Sequence, residues 1–162
     1  MVLRHQIKKV ARNFLLITGI PVNVNKLASY CNALLFYQTM PEKISGFSIK
    51  SPVEGRYCIV LNNRMPESHN RFTIVHEIWH ILRKVDSISY NWQEEIPSAE
   101  ERYANIFATE LLMPKEAILE LYYKERWRDI DLYCDFFQVS KKAMEIRLFD
   151  ELNLPIEDFY PL

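Results

Sequence analysis

His76, Glu77 and His80 stand in the order H-E-x-x-H, and on an α-helix that spacing has a chemical meaning. Positions i and i+4 lie one above the other on the same face. Both imidazoles therefore reach a single divalent ion, while the carboxylate after the first stands beside it, placed to take a proton from water. The flanks suit such a helix: Thr73, Ile74 and Val75 precede the motif and Ile81 and Leu82 follow it, an apolar setting for a helix half sunk in a core. The bland alternative is a buried amphipathic helix carrying two incidental histidines.

A catalytic zinc takes three protein ligands and keeps a fourth position for water, so another donor is required. Glu101 falls in the first turn of a helix that Ser98 would cap. Asn105 follows one turn later on the same face, where it could orient an imidazole through its other ring nitrogen. Ser98-Ala99-Glu100-Glu101 is also a capping box, in which Glu101 would instead fold back on the Ser98 N–H. Glu100 becomes the ligand if the register shifts by one. Asp86, six residues after His80, sits where the pattern H-E-x-x-H-x-x-G-x-x-H/D puts its third ligand, but the glycine that turns the chain there is replaced by Arg83. His69 reads as a surface histidine near the helix start and His5 has no partner, so neither is assigned a role.

The elements that must position these residues are legible in the periodicity. Leu3, Ile7, Val10, Phe14 and Ile17 form a helical stripe that ends at Gly19 and Pro21, and Asn23 is suited to cap a second helix through Tyr30. Three strands follow at Ala33 to Thr39, Ile44 to Lys50 and Arg56 to Leu61, and this small sheet runs directly into the His76 helix. Helices over 99–113, 114–126 and 130–137 come next, opened by Ser98, Pro114 and Asp129, and Ser140 caps a last one through Leu152. With no β-α-β alternation, the class is α+β.

Composition narrows the function. The chain has 162 residues and a net charge of −1, so it can bury one sizeable core and offers no global field for nucleic acid or an anionic membrane. Cys31, Cys58 and Cys134 are odd in number and widely spaced, which indicates neither a disulfide framework nor a cysteine-ligated metal. Arg4, Lys8, Lys9 and Arg12 interrupt the apolar N-terminal stretch, no secretion signal is expected, and no segment is long enough to span a bilayer. A cytoplasmic location is the expectation.

Two blocks carry a family resemblance. Arg71-Phe72-Thr73-Ile74-Val75-His76-Glu77-Ile78-Trp79-His80 and Glu101-Arg102-Tyr103-Ala104-Asn105-Ile106-Phe107-Ala108-Thr109-Glu110-Leu111-Leu112-Met113-Pro114 resemble the signatures R-F-T-x-A-H-E-x-x-H and E-x-x-A-N-x-F-A-x-x-L-L-M-P of the ImmA/IrrE metallopeptidases. The strand Tyr57 to Leu61 with Asn62 and Asn63, and the segment Val139-Ser140 through Arg147-Leu148, resemble further parts of that pattern, so that the likeness covers roughly residues 20–155. The resemblance implies a zincin-like domain over residues 1–126 and a C-terminal helical subdomain over 127–162, packed on it and similar to a helix-turn-helix. It also implies a zinc-dependent endopeptidase that cleaves a helix-turn-helix transcriptional repressor and so relieves repression, with His76, His80 and Glu101 holding Zn2+ and Glu77 catalytic. Trp79 and Val75 depart from the glycine and alanine common in the family, so packing around the metal is expected to differ.

Peptide hydrolysis needs an oxyanion donor and a strand edge for the substrate; Tyr103 and the strand before the His76 helix are the residues considered for these tasks. The rival reading is a zinc-stabilised DNA-binding regulator, built on Asp129 to Leu152 as a helix-turn-helix with Lys141, Lys142 and Arg147 exposed. Asp131, Asp135, Glu145, Asp150 and Glu151 lie among those cations and would repel phosphates, so no direct nucleic-acid binding is expected. A repressor-binding protein that does not cleave is the third possibility, and oligomeric state is not encoded in any pattern found.

Overall fold

The computed structural model describes residues 2–52, 55–84, 87–90 and 98–160, with backbone alone at residues 2, 3 and 87–90. Helix α1 (Val2–Thr18) buries Ile7, Ala11, Phe14 and Thr18, a stripe spaced 4, 3 and 4 residues apart. The buried face is turned slightly from the one expected, leaving Val10 and Ile17 half-buried, because small Ala11 lets the helix approach its neighbours closely. Gly19, at φ 77°, closes the helix in the left-handed conformation that glycine adopts without strain. Asn23 caps α2 (Val24–Tyr30) by accepting the Lys26 N–H at 2.9 Å.

The sheet contains β1 (Ala33–Gln38), β2 (Ile44–Lys50), β3 (Tyr57–Asn62) and β4 (Ser87–Tyr90), in the spatial order β1-β3-β2-β4. β3 pairs parallel with β1 and antiparallel with β2, which in turn pairs antiparallel with β4. Three strands form where the alternation placed them. β4 is a fourth, only four residues long, paired antiparallel with the outer side of β2. Ile59 and Leu61 of β3 are fully buried, and Asn62 at its end is equally buried. The Asn62 side-chain N–H groups point at the carbonyls of Met40, Pro41 and Ile44, at 3.2, 3.1 and 2.8 Å, and so tie down the connection between β1 and β2.

Helix α3 (Glu67–Arg83) packs on β2 and β3, and α4 (Ala99–Leu112) packs along α3, with α1 against α4. There follow α5 (Lys115–Tyr123), α6 (Ile130–Phe137) and α7 (Lys141–Glu145), the last running on as a wider π-type turn over Ile146–Glu151. Ser98, Asp129 and Ser140 each cap the helix they precede, accepting backbone N–H groups at 3.2, 2.9 and 3.2 Å. One hydrophobic cluster runs from Ile7 through α3 and α4 to Phe159, so the C-terminal helices share the same core. Among the described residues no helix is long and apolar enough to cross a membrane.

Arg147 corrects an expectation. Read as an exposed base of the rival helix-turn-helix, it is 2% exposed, donating to the Met113 carbonyl at 3.0 Å, to both Glu110 carboxylate oxygens at 3.3 and 3.1 Å and to Glu151. Lys8 joins Glu110 at 3.2 Å. Burial alone would push the Glu110 carboxyl up, but the hydrogen bonds and charges of Arg147 and Lys8 outweigh it and hold the group below its usual range. The cation sits inside because a buried carboxylate on α4 needs it there.

Candidate metal centre

Because α3 packs on the sheet along one side and on α4 along another, its middle turns are enclosed: His76 is 5% exposed, His80 1% and Glu77 not at all. Glu101, in the first turn of α4, meets the two rings. Its Oε2 lies 3.0 Å from His76 Nε2 and its Oε1 3.2 Å from His80 Nε2, while the two Nε2 atoms are 3.1 Å apart. Hydrogen bonds from His76 and His80 draw the Glu101 carboxyl down to about 2. The capping box forms only in half: Ser98 Oγ accepts the Glu101 N–H, but the Glu101 carboxylate turns to the rings rather than back to Ser98.

These distances bear on whether the donors suit an ion. Nitrogen and oxygen ligands about 2.0–2.1 Å from a tetrahedral zinc stand about 3.3–3.4 Å from one another. The three observed separations fall within a few tenths of an ångström of that edge, the two rings meeting different oxygens of the Glu101 carboxylate, and two imidazole nitrogens with a carboxylate form a donor set typical of catalytic zinc. His76 Nδ1 lies 2.9 Å from Asn105 Oδ1. An amide oxygen only accepts, so Nδ1 carries a proton. A neutral ring in that tautomer has its lone pair on Nε2, as a metal requires, whereas the hydrogen bond to Glu101 needs a proton on Nε2 and so belongs to the arrangement without a metal. His80 Nδ1 is buried with no hydrogen-bond partner among the described residues, so the two rings are oriented unequally.

Glu77 reaches the other way, to the sheet, where Ser48 Oγ donates to its Oε2 at 2.7 Å. Gly46 explains how β2 comes so close. A Cβ there would meet the Val60 carbonyl at 2.7 Å and Thr73 Cγ2 at 2.9 Å, so only glycine permits this separation of strand and helix. A register shift between Ile44 and Gly46 sends Ser45 as well as Ser48 towards α3, although strict alternation would put them on opposite faces. Ser45 Oγ lies 2.8 Å from His69 Nε2, and burial lowers the His69 pKa. His69 is thus half-buried and engaged, not the surface histidine expected.

The other candidates separate cleanly. Glu100 points to Arg83 at 3.6 Å and stays out of the cluster, and Asp86 lies outside the described residues. Tyr103, two residues beyond Glu101, is turned about 200° around α4 and, half-buried, packs against the core. β3, proposed from the sequence to take a peptide on its edge, is paired on both sides and has no edge to give. The outer strand on the Ser48 side is β4. Arg71, seen in the sequence only as part of a motif, is 7% exposed and donates to the carbonyls of Val22 and Gln138 at 2.9 and 3.2 Å, tying α3 to the segments before α2 and after α6.

Residues 30–149 match the model of the Peptidase_M78 family, described as the IrrE N-terminal-like domain. No curated protein matches the chain.

Proposed function

The chain belongs to the Peptidase_M78 family of IrrE N-terminal-like domains, and from that premise we propose that it is a zinc-dependent endopeptidase acting in the cytoplasm on a helix-turn-helix repressor. The observation that carries the reading is the convergence of His76, His80 and Glu101 on one point, with the buried carboxylate of Glu77 on the same helix. His76, His80 and Glu101 hold the ion in this reading. When bound, zinc supplies Lewis acidity, lowering the pKa of a water towards about 7 and polarising a carbonyl.

Glu77 takes a proton from the attacking water and passes it to the amine nitrogen as the C–N bond breaks. Asn105 keeps His76 in the ligating tautomer. An extended substrate adds to the outer edge of β4, the edge strand nearest Ser48 and Glu77. Residues 127–162 form the subdomain against which the repressor docks. Against the DNA-binding reading, Arg147 is engaged in the interior and Lys141 is paired with Asp131 at 3.0 Å. Three free thiols suit a reducing compartment.

The test is incubation of the zinc-loaded protein with the helix-turn-helix repressor encoded beside its gene. Wild type is expected to cut the repressor, to stop when a chelator is added, and to lose cleavage but retain zinc in Glu77→Gln. Binding of the repressor without cleavage by the loaded wild type would leave a sequestering protein, not a peptidase.

A further inference from the structure

We propose that Ser48 is a positioning residue for Glu77, holding in one orientation the carboxylate that follows His76 on α3; the inference rests on the catalytic reading of Glu77 given above. A glutamate has three side-chain torsions, and a buried one without a fixed donor is both costly and poorly oriented. Ser48 supplies such a donor, a hydroxyl 2.7 Å from Oε2, a length typical of an O–H bond to a charged acceptor. Ser48 is itself 2% exposed, so little solvent competes for that proton.

The anchor is rigid for reasons of topology. β2 is an inner strand, and Ser48 is registered opposite Ile59 of β3 on one side and Ser87 of β4 on the other. Gly46, two residues earlier on the same strand, brings that strand close enough to α3 for so short a side chain to span the gap. A carboxylate hydrogen-bonded to the middle of a sheet presents the same geometry to every water that enters. Flexible anchors on loops or at an edge would not do this.

A purely structural serine would affect folding alone, so the test separates orientation from stability. The probe is acetohydroxamic acid binding to the Co2+-loaded full-length protein, followed by the visible absorption of the ion. A hydroxamate chelates through its two oxygens and shares its remaining proton with a neighbouring carboxylate, so its affinity reports the placement of Glu77. A lost hydrogen bond to a charged group corresponds to roughly tenfold or more. Ser48→Ala is expected to weaken acetohydroxamate about tenfold at unchanged Co2+ stoichiometry, while Ser48→Thr, which keeps the hydroxyl, stays within about twofold of wild type. Glu77→Gln is expected to weaken it at least as much.

Should Ser48→Ala lower Tm, Ser48→Cys decides, being close in size with a weaker donor: weaker acetohydroxamate binding at wild-type Tm supports the proposal, and unchanged binding overturns it. Wild-type binding in Ser48→Ala alongside weak binding in Glu77→Gln rejects Ser48 while the reading of Glu77 stands. Equal weakening in Ser48→Ala and Ser48→Thr means that volume, not the hydroxyl, matters, and rejects it too. Wild-type binding in Glu77→Gln removes the catalytic reading itself.

Discussion

Replacing Asn105 by alanine should loosen zinc without touching a ligand. The amide accepts the Nδ1 proton of His76 at 2.9 Å, and that bond selects the tautomer whose Nε2 can bind a metal. Losing such an outer partner typically costs 10–100-fold in metal affinity. Two features place this case near the lower limit. Asn105 is exposed, so water can take over the Nδ1 proton once the amide is gone, and a neutral hydrogen bond exchanged with solvent is worth only about 1 kcal/mol. A tenfold weakening, about 1.4 kcal/mol, is therefore expected for Asn105→Ala. Asn105→Asp, nearly isosteric and a stronger acceptor, should bind zinc at least as tightly as wild type, because an acidic partner raises the basicity of the ring. Competition against a chromophoric chelator at fixed pH measures both. A change of less than about twofold in the alanine variant, or equal losses in alanine and aspartate, would refute the argument that this amide sets the tautomer.

Three other outcomes follow from the same geometry. Arg147→Met leaves the Glu110 carboxylate buried beside Lys8 alone, and removing one partner of a buried pair should cost about 3–5 kcal/mol in urea unfolding; a loss below about 1 kcal/mol would mean that the ion cluster is not stabilising. Gly46→Ala forces a methyl against the Val60 carbonyl and Thr73, so a cost of about 1–3 kcal/mol or more is expected. Its melting temperature should fall clearly below that of a control at an exposed position such as Ser29→Ala, and equal melting temperatures would contradict the contact. In the metal-free protein Glu101 is held at about 2, below its ordinary 4.5, so its contribution is complete above pH 4.5 and drains away as pH falls towards 2. Glu101→Gln should accordingly show a shallower loss of stability across that window, and parallel curves for the two proteins would exclude the hydrogen bonds to His76 and His80 as its source.

What could be read from the sequence is what local periodicity encodes. His76, Glu77 and His80 could be placed together because four residues span one helical turn, and Ser98, Asn23, Asp129 and Ser140 could be placed as caps because a helix start exposes unpaired N–H groups. The approach of Glu101 required only that a capped helix follow and pack. Ser48 was out of reach, since it meets Glu77 across 29 residues through a strand-on-helix contact that no spacing records. A signal did exist: Gly46 is one of only three glycines in the chain and lies inside a strand, where glycine marks close approach. Arg147 was misjudged because its setting on a lysine-rich helix suggested solvent, whereas its fate is fixed by an acid on another helix. β3 was given an edge because chain order says nothing of spatial order, and β2 and β1 take its two sides.

The salt cluster around Glu110 also carries information about time. Its guanidinium comes 37 residues after the acid it neutralises, whereas the α1 and α4 surfaces that flank the acid are made earlier. A ribosome releasing this polypeptide from the N-terminus exposes a carboxylate that only Lys8 can attend until position 147 emerges. Nascent chains shorter than that lack the guanidinium, so closure of the core around this acid is expected only after position 147 has emerged.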